Sequence, residues 1–94
     1  MPPVTRLGDG CTGHGCFGGR PNAAGSGDVL VNSLPAHRQT DGWNTHCCVV
    51  CHGGSTSAGS GTVYANSLQL ARIGDPVDCG SGIAAGSGDV LAGG

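Results

Sequence analysis

The stretch that decides the fold is Ala24-Gly-Ser-Gly-Asp-Val-Leu-Val-Asn-Ser-Leu-Pro-Ala-His-Arg-Gln-Thr-Asp41, because the chain repeats it. It aligns with Ala58-Gly-Ser-Gly-Thr-Val-Tyr-Ala-Asn-Ser-Leu-Gln-Leu-Ala-Arg-Ile-Gly-Asp75. A third copy opens at Ala85-Gly-Ser-Gly-Asp-Val-Leu-Ala92, and its missing second half stands at the other end, as Pro2-Pro-Val-Thr-Arg-Leu-Gly-Asp9. Arg-x-x-Asp therefore occurs three times, at Arg6/Asp9, Arg38/Asp41 and Arg72/Asp75. Self-similarity of this kind marks a repeat architecture. The chain reads as three units in a circle, cut open inside one of them. Closing the circle requires the N-terminal segment to pair with the C-terminal one, which also removes free strand edges.

Each unit reads as a β-hairpin. Val29-Leu-Val and Val63-Tyr-Ala are short strands, and Leu34–Gln39 and Leu68–Ile73 return. Between them Asn32-Ser33 and Asn66-Ser67 form two-residue turns, asparagine tolerating the positive φ of a type I′ turn. Composition points the same way. The 94 residues hold 20 glycines and neither lysine nor glutamate, which disfavours helices. The formal net charge of −2 and recurrent short apolar runs disfavour disorder. The expectation is one all-β domain over residues 1–94, with a core thin enough to need a further staple.

Charge also limits partners. Four arginines against six aspartates leave no electrostatic footprint for nucleic acid. No apolar run is long enough for stable membrane insertion. The start, MPPVTRLGDG, lacks the basic and apolar regions of a signal peptide. Six cysteines beside four histidines in such a chain point to metal before disulfides.

The loops after each repeated Asp, Gly10–Ala23, Gly42–Ser57 and Pro76–Ala84, carry almost all the Cys and His. His14 lies five residues after Asp9, His46 five after Asp41, and Cys79 four after Asp75. On a three-fold scaffold this register brings the three side chains together at one end. A closed tetrahedral zinc site needs a fourth ligand. His52 is preferred, giving His14, His46, His52 and Cys79, with Cys51 as its main competitor. One structural Zn²⁺ bound there would supply the missing staple. His37 aligns with Thr5 and Ala71 on a return strand, outside this register, and reads as solvent-facing or locally hydrogen-bonded. Cys11, Cys16, Cys47 and Cys48 read as buried fillers, with Cys11/Cys16 or a pair from the second loop as disulfide candidates. The Gly-Ser-Gly at 25–27, 59–61 and 86–88 lacks the lysine of a phosphate loop and precedes strands. It reads as close backbone approach between units.

These residues resemble the PAAR-repeat family, which caps the membrane-piercing spikes of contractile injection machines. The resemblance rests on Arg6-Leu-Gly-Asp9, Arg72-Ile-Gly-Asp75-Pro76, Gly13-His14-Gly15, the two full hairpins and Cys79-Gly-Ser. The chain departs from the family at Pro35-Ala-His-Arg38, at Leu70-Ala-Arg72 and in its Asn-Ser turns and cysteine-rich second loop. The resemblance implies a small cone of three β-hairpin units, with zinc near the apex held by three His and one Cys. It implies a structural, non-enzymatic tip seated as a monomer on a trimeric β-helical spike, VgrG-like or phage tail-spike-like. Val29, Leu30, Val63, Tyr64, Val90 and Leu91 are the apolar candidates for core and spike contact. Such a tip is expected to assemble in the bacterial cytoplasm on a spike or virion tail and to be delivered outside the cell. With nothing read after Gly94, effector cargo is expected elsewhere on the spike. The competing expectation is a small zinc-binding adaptor or a metal or redox buffer using Cys47, Cys48 and Cys51.

Overall fold

The structure is a computed structural model, which describes residues 2–48 and 50–93. The outer limits of the expected 1–94 domain thus lie outside the described residues. Every element is β: β1 (Leu30–Val31), β2 (Leu34–Pro35), β3 (Gly42–Cys48), β4 (Val50–Ser55), β5 (Tyr64–Ala65) and β6 (Leu68–Gln69). They pair as three antiparallel hairpins, β1-β2, β3-β4 and β5-β6. No helix occurs among the described residues.

Two of these hairpins are the expected repeats. Their turns carry positive φ at both central residues, 53° and 68° at Asn32-Ser33 and 52° and 66° at Asn66-Ser67, as a type I′ turn requires. The return strands are shorter than the expected Leu34–Gln39 and Leu68–Ile73, because past the first two residues the backbone turns to neighbouring units. The circle closes as the sequence implies. Pro3 bridges Leu91, Val4 N–H donates to Val90 O at 2.9 Å, and Ala92 N–H donates to Pro2 O at 3.1 Å.

Three-fold repetition extends to individual hydrogen bonds. Thr5, His37 and Ala71 occupy equivalent positions and form a closed backbone ring. Thr5 N–H donates to Ala71 O, Ala71 N–H to His37 O, and His37 N–H to Thr5 O, at 2.9–3.0 Å. All three residues are fully buried, so the ring satisfies backbone groups that water cannot reach. Each Arg-x-x-Asp is a tie across a turn. In all three, the guanidinium Nε donates to one aspartate oxygen and NH2 to the other, with Nε distances of 2.8–3.0 Å.

The Gly-Ser-Gly segments show why glycine recurs. A Cβ on Gly25, Gly59 or Gly86 would stand 2.9, 2.6 or 2.8 Å from a carbonyl oxygen of the neighbouring return strand. The serine between the glycines is buried at each site. Its Oγ accepts backbone N–H groups two and three residues on, at 2.8–3.1 Å. Close backbone approach was expected at the joints between units; the first glycine of each segment does make a close approach, but to the return strand of its own unit.

Apolar side chains form two clusters. Val4, Val31, Ala36, Ala65, Leu70 and Ala92 fill the hairpin layer. Cys11, Trp43, Ala71, Val77 and Ile83 fill the loop layer. The second loop is not a loop throughout, contrary to expectation. Residues Gly42–Ser55 contain β3 and β4, the two longest strands. The β-formers Trp43, Thr45 and Val50 favour extension there, and the hairpin has no counterpart in the other two units.

Candidate metal centre

The three loops place His14, His46, His52 and Cys79 together, with their ligand atoms all within 4.8 Å of one another. Each ligand is held by its local backbone. His14 begins a tight turn closed by reciprocal bonds with Phe17, His14 N–H to Phe17 O at 3.0 Å and Phe17 N–H to His14 O at 2.8 Å. Gly13 before it has φ of 75°, and a Cβ there would meet Phe17 O at 2.4 Å, so only glycine fits. His46 and His52 face each other in register across β3 and β4. Cys79 lies in the turn over which Val77 N–H bonds Ser81 O and Gly80 N–H bonds Val77 O.

Ring tautomers follow from the acceptors. His46 Nδ1 is 2.8 Å from Gly18 O, and His52 Nδ1 is 2.8 Å from Gly53 O. A carbonyl only accepts, so each Nδ1 carries a proton, and in the neutral ring that leaves the lone pair on Nε2. Those two lone pairs face each other, Nε2 to Nε2, at 3.2 Å. His14 Nε2 is buried without a partner. Three imidazoles thus bring ligand atoms into one cluster. Tetrahedral zinc, with bonds of about 2.0–2.3 Å, would hold its ligand atoms roughly 3.3–3.8 Å apart. The His46–His52 pair is near that range at 3.2 Å, and the widest separation, up to 4.8 Å, would have to close by about 1 Å.

The electrostatics suit a cation. Burial lowers the His14 pKa, and His46, His52 and Arg20 lower it further, keeping the imidazole neutral and able to bind metal. Burial pushes the Cys79 thiol up. The Ser81 backbone and Arg20 outweigh it, so the net shift is downward, toward the thiolate. A set of three imidazoles and one thiol, without carboxylate, fits a borderline metal ion.

Two residues that the sequence reading passed over complete the site. Arg20 is buried, with Nε donating to Asn44 O at 2.8 Å, NH1 to Cys11 Sγ at 3.0 Å and NH2 to Cys79 Sγ at 3.4 Å. Its guanidinium carbon lies 5.3 Å from the centre of the Trp43 ring. It is the one arginine outside the Arg-x-x-Asp series, and that was the signal. Phe17, the single phenylalanine, packs its ring 4.8, 4.8 and 4.4 Å from those of His14, His46 and His52.

The other cysteines divide. Cys16 bonds Cys48 and Cys47 bonds Cys51. A pair within the second loop is therefore present, whereas Cys16 pairs across loops and not with Cys11. The ordering of metal before disulfides does not hold as an alternative, since two disulfides and the metal-capable group share the same loops. Cys51 is engaged with Cys47, and the metal-capable group contains His52 instead. Cys11 is buried and free, a filler as expected, and Arg20 lowers its thiol pKa against the upward push of burial. His37 is fully buried and hydrogen-bonded, not solvent-facing. Its Nδ1 donates to Ala24 O and its Nε2 meets Thr56 Oγ1, both at 2.7 Å.

Fold and site together define a small three-unit β protein whose loops close around one metal-capable His/Cys cluster. The family model for the PAAR motif matches residues 12–85, and the chain belongs to that family. Membership makes it a spike-tip protein of contractile injection systems, associated with a VgrG-type spike, in a family that is structural and binds metal. No curated protein matches the chain.

Proposed function

We propose that the chain is a zinc-fastened cap that sharpens a trimeric β-helical spike, sitting as a monomer on three-fold partners. Its residues act as one domain, without catalysis. His14, His46, His52 and Cys79 hold a single structural Zn²⁺. When bound, the ion supplies coordination bonds that tie all three loops, so peeling one loop away under load means breaking a ligand bond. The chain's own part is to gather and orient the three imidazoles, to favour the Cys79 thiolate through Arg20, and to exclude water with Phe17.

The observation that carries the docking reading is a three-fold set of exposed apolar side chains on a single chain. Leu30, Tyr64 and Leu91 occupy equivalent strand positions and are 59, 55 and 49% exposed. The next residues, Val31, Ala65 and Ala92, are buried in the hairpin layer. Alternation thus assigns the outward positions to the partner and the inward ones to the core. One chain can then offer a similar contact to each of three spike chains. Assembly takes place in the bacterial cytoplasm, on a secretion spike or a contractile phage tail. Delivery then carries the tip outward.

A metal or redox buffer is less well supported, because four of the six cysteines are tied in disulfides and one metal-capable group remains among the described residues. Metal analysis together with mass measurement of the complex with a spike trimer tests the reading. One zinc per chain and one chain per trimer are expected. Several metals per chain, or no complex with any spike, would overturn it.

A further inference from the structure

The Cys16–Cys48 disulfide is unused by the function proposed above, yet it joins two of the three loops that contribute to the metal-capable cluster. Cys16 lies two residues after His14, inside the His14–Phe17 turn whose backbone bonds lock it. Cys48 lies two residues after His46 on β3, so strand alternation puts both side chains on one face. Each half-cystine is thus coupled to a ligand through a rigid piece of backbone, one turn on one side and one strand on the other. The bond spans 32 residues of chain and bridges loops belonging to different units.

Cys47–Cys51 differs. It lies on the opposite face of β3 and joins residues already paired across the β3-β4 ladder. It constrains one hairpin and ties no second loop to it.

We propose that the Cys16–Cys48 pair is a positioning element of the metal centre, so that its oxidation and metal binding are thermodynamically coupled. The inference rests on the metal-centre reading. Without the bond, metal must also order the first loop against the second, and that cost is taken from the binding free energy. Linkage is reciprocal: whatever factor the disulfide adds to metal affinity, bound metal adds to the stability of the disulfide. In reduction by glutathione, the Cys16–Cys48 S–S bond breaks and each sulfur gains one proton and one electron. Two glutathione thiols lose the same and join as glutathione disulfide. Cys16 is exposed and Cys48 half-buried, so the reagent can reach the bond. A tip made in a reducing compartment would hold its metal more loosely than one that has reached an oxidising one.

The test compares zinc affinity, by competition with a chromophoric chelator, in the oxidised full chain, in C16S/C48S and in C47S/C51S. C16S/C48S is expected to bind zinc about ten-fold more weakly or worse, the scale of lost outer-shell support, while C47S/C51S stays within about two-fold. If C16S/C48S fails to fold, the reciprocal measurement on C47S/C51S carries the test. Its remaining disulfide is titrated against a glutathione buffer with thiol counting by mass spectrometry. Saturating zinc should move that equilibrium by the same factor, a ten-fold change being about 30 mV for a two-electron couple. Equal zinc affinity in all three proteins, or a glutathione midpoint that zinc leaves in place, would overturn the coupling alone. Absence of zinc from every form would overturn the metal-centre reading itself.

Discussion

The hairpin layer and the loop layer of this small protein are built on opposite principles. In the hairpin layer everything happens three times: the Thr5/His37/Ala71 ring, the Arg–Asp ties, the buried serines and the crowded glycines. In the loop layer almost nothing repeats. One loop is a seven-plus-six-residue hairpin, another a tight turn around His14, and the third a turn around Cys79. Yet the loop layer is where four side chains must meet within 4.8 Å. Symmetry suffices to build a platform from small residues. A cluster of unlike donors needs asymmetry, and its fourth member, His52, comes from the one loop that departs furthest from the pattern.

The contrast is broken most directly at a ligand. His46→Ala should remove tight metal binding and, with it, several kcal/mol of stability. Hydrogen exchange should then show lost protection at Thr12, His14 and Gly80, while the amides of Thr5, His37 and Ala71 remain slow. Simultaneous loss in both layers would show a single cooperative unit and abolish the distinction. Next comes Arg20→Met, which strips a buried guanidinium from two sulfurs and a carbonyl. A loss of about 2–3 kcal/mol in chemical denaturation is expected, falling on the loop layer only.

In the hairpin layer, Gly59→Ala places a Cβ 2.6 Å from Leu70 O and should cost about 1–3 kcal/mol. Gly27→Ala meets nothing within 4 Å and should stay within about 0.5 kcal/mol. Equal effects would deny that the first glycine of each segment is a contact point.

The smallest expected effect is a pH slope. Burial lowers the His37 pKa, outweighing the Ala24 carbonyl and nearby Asp41, which raise it. The unfolded chain therefore binds the proton first, and stability should fall as pH drops below about 6.5. The comparison is with His37→Asn, measured with zinc present in both proteins, so that acid release of metal is common to the two. A slope of the same size in the variant would remove His37 as its source.

The sequence made the hairpin layer legible in some detail, because repetition exposes each structural role more than once. Asn32-Ser33 and Asn66-Ser67, the closing of the circle and the Arg–Asp ties all stand as read. The loop register against Asp9, Asp41 and Asp75 brought His14, His46 and Cys79 into one group, which the structure places together. What escaped was whatever depends on contact between unlike loops. The β3-β4 hairpin was invisible to a repeat comparison because it has no second copy. With it went the facing of His46 and His52, the pairing of Cys47 with Cys51 and the bond from Cys16 to Cys48. Arg20 and Phe17 act through neighbours supplied by other loops, and spacing along one chain carries no trace of them.

The closed circle has a consequence for the order of events in making the protein. Pro2–Val4 can find their partners only when Val90–Ala92 exist, so residues synthesised early in the domain wait for residues synthesised late. Contacts of such high sequence separation slow folding, since nearly the whole chain must be gathered to form them. The third unit therefore serves as a check of completeness: a chain that stops short of residue 90 can build two hairpins but cannot shut the ring of units. What the spike receives is consequently either a finished cap or a chain with an open edge.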